Sequence, residues 1–178
     1  MRRRDLLAGI GSLVTLGGGI ALAFGKLGGP DGAAGIQPVD LETVDTAGSS
    51  GETVTVPALG EPTFIKFFAT WCTVCQGMMP ELAVAHEEVN DEVQFLSVTN
   101  EPVGITTTRE EVVEWLEEHD GNWPVALDSE LELTERLDPS GVPYAYALDS
   151  DNRVVWEHRG DATADELIKG IRSAMGEE

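Results

Sequence analysis

Hydrophobic and polar positions change period several times along the 178-residue chain. Val39 to Val44 and Thr53 to Leu59 alternate apolar with polar residues, the period of half-buried strands, and AGSSGE between them predicts a hairpin-like turn. Thr63 to Phe68 (TFIKFF) is a nearly continuous apolar run, as in a buried central strand. After it, Met79, Leu82, His86 and Val89 recur at helical spacing, and Pro80 is expected to kink that helix rather than end it. Val93 to Thr99 predicts the next strand. Thr108-Arg109-Glu110-Glu111 has the form of a capping box and opens a helix with Val112, Val113 and Leu116 on one face. Val125 to Leu127 is a short strand. Ser129-Glu130-Leu131-Glu132 predicts a second capping box and a helix to about Leu137. Tyr144 to Leu148 and Val154 to His158 flank DSDN and predict a hairpin. Thr163-Ala164-Asp165-Glu166 predicts a third capping box, with Leu167, Ile168, Ile171 and Met175 buried beyond it.

Strands alternating with helices and closing on a hairpin describe an α/β domain with a mixed sheet, spanning residues 39–176. Residues 31–38 (DGAAGIQP) are Gly/Ala-rich, show no sign of packing and are expected to be a linker. Residues 1–30 differ in kind. Arg2, Arg3 and Arg4 precede an uncharged, Gly-rich run from Leu6 to Gly25, the layout of an export signal. Arg3-Arg4-Asp5-Leu6-Leu7 resembles a twin-arginine motif. A run of this length also suits a membrane anchor, and Ala21-Leu22-Ala23 suits a cleavage site. Both readings place the domain outside the cytoplasm, exported or anchored to the outer face of the membrane, where cysteines can cycle or stay oxidised.

Charge narrows the partners. The net charge is −21, and residues 1–30 carry four basic groups and one acid. The remainder holds 7 basic and 31 acidic residues, a net −24. Such a surface repels nucleic acid. The acids are spread along the whole chain and lysine is scarce, which fits a protein adapted to high salt, where self-repulsion is screened. A binding surface for a basic partner such as a cytochrome is the competing reading.

The chain has two cysteines, Cys72 and Cys75, in FFATWCTVCQGMMP. Placed after a buried strand and at the first turn of a helix, Cys72 faces free N–H groups that favour its thiolate. Cys75, one turn on, is positioned to resolve a mixed disulfide formed by Cys72. The pair is a reversible two-electron couple and needs no other cofactor. A second chemistry uses the same residues: Cys72, Cys75, Met78 and Met79 are soft groups that suit a Cu(I)-binding metallochaperone. A non-catalytic binding module with a structural disulfide is a third. Hydrolase signatures such as GxSxG and HExxH are absent from the sequence.

FFATWCTVC with the distant Gly141-Val142-Pro143 resembles the thioredoxin superfamily over about residues 37–176. The export-like start, the N-terminal strand pair and the inserted αβ unit near 108–127 make it most similar to TlpA/ResA-type extracytoplasmic thiol-disulfide oxidoreductases. The resemblance implies a thioredoxin-like mixed sheet flanked by helices and a cis bond at Pro143. It also implies a groove in which Val142 pairs with a client strand beside Trp71. Implied partners are protein thiols and disulfides, a transmembrane thiol electron donor, and apocytochrome c or other surface proteins as clients. Thr73-Val74 lacks the histidine or proline of strong oxidants, which favours a reductant. Three positions depart from the family. Met78 stands where a glutamate is common, Lys66 where thioredoxins have a buried aspartate, and Tyr144 where threonine follows the proline. Lys66 has two readings: a lysine snorkelling to the sheet edge, or a cation or proton-relaying amine behind the sulfurs.

Overall fold

The computed structural model describes residues 35–177. The export signal or anchor expected over 1–30, and residues 31–34 of the expected linker, lie outside the described residues. The chain begins with strands β1 (Val39–Thr43), β2 (Asp45–Thr46), β3 (Ser49–Ser50), β4 (Thr53–Val56) and β5 (Thr63–Phe68). Helices α1 (Thr73–Gly77) and α2 (Met79–Val89) follow, then β6 (Gln94–Thr99), α3 (Arg109–Glu118) and β7 (Val125–Leu127). The fold closes with α4 (Glu132–Leu137), β8 (Tyr144–Leu148), β9 (Val154–Arg159) and α5 (Ala164–Met175).

Seven strands form one mixed sheet in the order β4-β1-β7-β6-β5-β8-β9. The strands β5, β6 and β7 run parallel, and β8 is antiparallel to β5. The expected turn between β1 and β4 contains a separate small ladder, β2 with β3. Every residue of β5 is buried because strands flank it on both sides and both its faces are covered. Alternation divides its side chains. Phe64 and Phe68 join a core with residues of α1, α2, α3 and α5, whereas Ile65 and Phe67 join a second core with Leu133 and Leu137 of α4 and with Tyr146. Each large apolar side chain so buried stabilises the fold by roughly 1.5–3 kcal/mol. Among the described residues no helix is long and apolar enough to cross a membrane.

Four local expectations are corrected. Pro80 does not kink a continuous helix: α1 ends at Gly77 and α2 restarts at Met79, because proline at 80 has no N–H to give to a carbonyl one turn back. The second capping box does not form. Leu131 adopts a left-handed conformation (φ 60°) and no side chain of Ser129 caps α4. Buried Asp128 does so instead, accepting from the N–H groups of Leu133 (3.2 Å) and Thr134 (2.7 Å). In α5 the buried stripe is Leu167, Gly170, Ile171 and Ala174, with Ile168 and Met175 only partly covered. Finally, residues 35–38 are packed. The Ile36 N–H donates to the Asn152 carbonyl (2.8 Å), and Arg136 donates to the carbonyls of Gln37 and Pro38. The other two capping boxes form as expected, Thr108 with Glu111 and Thr163 with Glu166. Hydrogen bonds from the backbone and hydroxyl of each threonine hold the glutamate's pKa below the ordinary value.

Candidate active site

The carboxyl end of β5 leads into Ala69-Thr70-Trp71-Cys72, and this loop is fixed from three sides. The Cys72 N–H donates back to the Ala69 carbonyl (3.1 Å). Thr70 gives its N–H (2.7 Å) and its hydroxyl (3.0 Å) to Glu101, which follows β6. Thr99 adds its hydroxyl to the same carboxylate (3.1 Å). Trp71 is left outside, 72% exposed. Beneath the loop, Trp115 of α3 stacks on Phe68 with ring centroids 4.8 Å apart.

Cys72 is the N-cap of α1. Its Sγ accepts the Cys75 N–H at 3.1 Å, and its carbonyl accepts from Gln76. The two cysteines form a disulfide, Cα atoms 5.2 Å apart. Both are buried in this state, Cys75 at 1% exposure. A five-residue helix has a small dipole. The direct hydrogen bond to Sγ is therefore the stronger reason for Cys72 to leave as a thiolate.

Two further expected residues, Val142 and Pro143, lie at the end of the sheet from which the cysteine loop leaves. Tyr144 of β8 pairs with Phe67, so Pro143 lies level with Phe68 at the end of β5. The Val142–Pro143 bond is cis, as the resemblance implied. Val142 packs against both cores, one of which contains the two cysteines, and the Pro143 carbonyl accepts from Gly160 (2.9 Å). Tyr144 packs on the opposite side of the sheet, against the second core, so its bulk faces away from the sulfurs.

Lys66 does not snorkel. It is 1% exposed, since β5 is central and has no edge to reach from. Alternation puts its side chain between Phe64 and Phe68, on the face of the cysteines, with Ser97 and Ala145 as strand neighbours. The Nζ atom has no hydrogen-bond partner among the described residues. Burial therefore pulls its pKa down to about 7, against a smaller opposing pull from the Asp161 carboxylate.

Met78 and Met79 are buried core residues, and nothing in their placement favours the Cu(I) reading. His86 packs on Phe95 and Trp123, and burial lowers its pKa. Glu101 went unnoticed in the sequence. The signal was available: a residue just past a parallel strand sits at the carboxyl edge of the sheet, where neighbouring strands deliver their loops.

A Redoxin family profile matches residues 30–171. The chain belongs to the Redoxin family. Its fold is thioredoxin-like. The chain is 25% identical over 116 residues to thiol-disulfide oxidoreductase ResA of Bacillus thuringiensis, covering 64% of this chain and 63% of that relative. The match thus spans just under two thirds of the relative's length. Thiol-disulfide oxidoreductase YkuV of Bacillus subtilis is 25% identical over 142 residues, covering 79% of this chain and 96% of its own. Among solved structures, the exposed lipoprotein thioredoxin of Streptococcus pneumoniae superposes with a TM-score of 0.65 at 22% identity, over 77% of this chain and 99% of that one.

Proposed function

We propose that this protein is a thiol-disulfide oxidoreductase acting on protein disulfides outside the cytoplasm, as a reductant. The observation that carries the reading is the Cys72–Cys75 disulfide at a strand-to-helix junction, with the Cys75 N–H on Cys72 Sγ. In the reduced protein the same N–H stabilises a Cys72 thiolate. That thiolate attacks one sulfur of a client disulfide and expels the other as a thiolate. Cys75 then attacks Cys72 Sγ, restoring the Cys72–Cys75 bond and releasing the reduced client. Two electrons pass from the protein to the client.

Exposed Trp71 flanks the attacking sulfur, and Val142 with Pro143 shapes the groove. No backbone hydrogen bond of Val142 is made within the fold among the described residues, which leaves its N–H and carbonyl for an extended client strand. The twin-arginine-like start supports the location, and the exposed lipoprotein thioredoxin of Streptococcus pneumoniae carries a compatible description. A reductant placed there draws electrons from a transmembrane thiol protein. Apocytochrome c is a fitting client for a reductant in that place. The spread of that acidity is a high-salt adaptation.

Cys75→Ser in the native host tests the reading. Removing the resolving thiol is expected to trap clients as mixed disulfides on Cys72. Recovery of none, together with no dithiothreitol-driven insulin reduction by the unsubstituted protein, leaves only a structural bridge.

A further inference from the structure

Resolution requires the Cys75 thiol to lose a proton, and its sulfur is buried in the disulfide state, at 1% exposure. The surrounding elements offer few acceptors. On α2, Glu81 is taken by the Ala164 N–H (2.6 Å), and His86 is wedged against Phe95 and Trp123. On α3, Glu111 caps its own helix and His119 Nδ1 lies 2.6 Å from the Trp115 carbonyl oxygen. Glu101 already accepts three donors. From β9 and α5, His158 Nε2 lies 2.7 Å from the Asp161 carbonyl oxygen, Asp161 is exposed, and Glu166 caps α5. On β5, strand alternation puts Lys66 on the cysteine face, with its Nζ unpartnered among the described residues.

Resting on the oxidoreductase reading, we propose that Lys66, as a neutral amine, accepts the Cys75 thiol proton during resolution of the mixed disulfide, directly or over one water. The amine becomes an ammonium and Cys75 a thiolate. The thiolate attacks Cys72 Sγ, the Cys72–Cys75 bond forms, and the client sulfur leaves as a thiolate. Lys66 gives that proton to the departing client thiolate, and the neutral amine is regenerated. No outside oxidant or reductant is consumed beyond the client. Burial supports this assignment, since it keeps a large share of Lys66 neutral near pH 7. The ammonium left after transfer lies on the cysteine face of β5, where its charge favours a thiolate over a thiol.

Stopped-flow reduction of 5,5′-dithiobis(2-nitrobenzoate) by the reduced full chain separates the steps. Attack by Cys72 releases the first nitrothiobenzoate and resolution by Cys75 the second. In the unsubstituted protein the second phase should rise with pH through an inflection near the Lys66 pKa. Lys66→Met should slow it about 10- to 100-fold at pH 7 and move the inflection to roughly 8.5 or above. Lys66→Arg keeps the charge but cannot accept a proton, so it should be equally slow. A second phase unchanged in Lys66→Met, or retained in Lys66→Arg, overturns the proposal and leaves the oxidoreductase reading standing. A missing first phase in the unsubstituted protein sinks that reading itself, and this inference with it. Should Lys66→Arg not fold, the 13Cε shift of Lys66 in the reduced protein decides: titration near 7 supports the role, and titration above about 10 removes it.

Discussion

Two ionisable side chains are buried on either side of the redox loop, and their surroundings are opposite. Glu101, past the end of β6, has its carboxylate filled by the Thr70 N–H and the hydroxyls of Thr70 and Thr99. Lys66, in the middle of β5, has an amine that touches no acceptor among the described residues. A buried charge with its hydrogen bonds made holds structure in place. A buried amine without them lowers stability, so its presence calls for another explanation. Glu101 fixes the path of the chain into Cys72, whereas Lys66 is chemically available.

Lys66→Met breaks the contrast most strongly. The folded state holds Lys66 near 7 and the unfolded chain near 10.5, so between those values the unfolded state binds more protons. The native protein should therefore gain stability as pH rises from 7 to 10.5, by at most about 5 kcal/mol. Lys66→Met should be more stable than the native protein below pH 7, with the gap closing as pH rises. Urea denaturation across pH 6 to 11 reads this directly, and parallel curves would mean that Lys66 is charged in the fold. Glu101→Gln should act with the opposite sign, destabilising by about 2 kcal/mol as charge-assisted hydrogen bonds are lost. It should leave the 7 to 10.5 window in place. If that window shifts, the two groups are coupled and do not have separate roles. Asp161→Asn is the finest probe. Its carboxylate raises the Lys66 pKa, so its removal should start the rise in stability at a pH below 7. An unchanged onset in the same denaturation series would show that Asp161 is screened by solvent.

What could be read from the sequence follows the range of each interaction. The β5 strand was expected at Thr63 to Phe68 and spans those residues. The boxes at Thr108 and Thr163 close within three residues, so four letters describe them. The box at Ser129 failed because Asp128 reaches Thr134 from the end of β7, and nothing in the four letters records where that strand stops. Glu101 was missed because its partner Thr70 is 31 positions away and meets it only through the pairing of β5 with β6. TFIKFF shows a buried strand but not which strands lie beside it. The fate of Lys66 depends on β6 and β8 flanking β5, which is a property of the whole sheet. Likewise, the motif gives the two sulfurs their chemistry, while the burial that makes Cys75 need a nearby acceptor comes from helices far along the chain.

The Ile36 hydrogen bond to Asn152 also bears on how the molecule can be held. The β8–β9 turn lies beside Thr63, where β5 begins, and Cys72 follows the other end of that strand, about 20 Å away. The backbone thus enters the domain at the pole remote from its sulfurs. The domain held at Ile36 would present Trp71 and the dithiol to the surrounding liquid, free for bulky clients to approach.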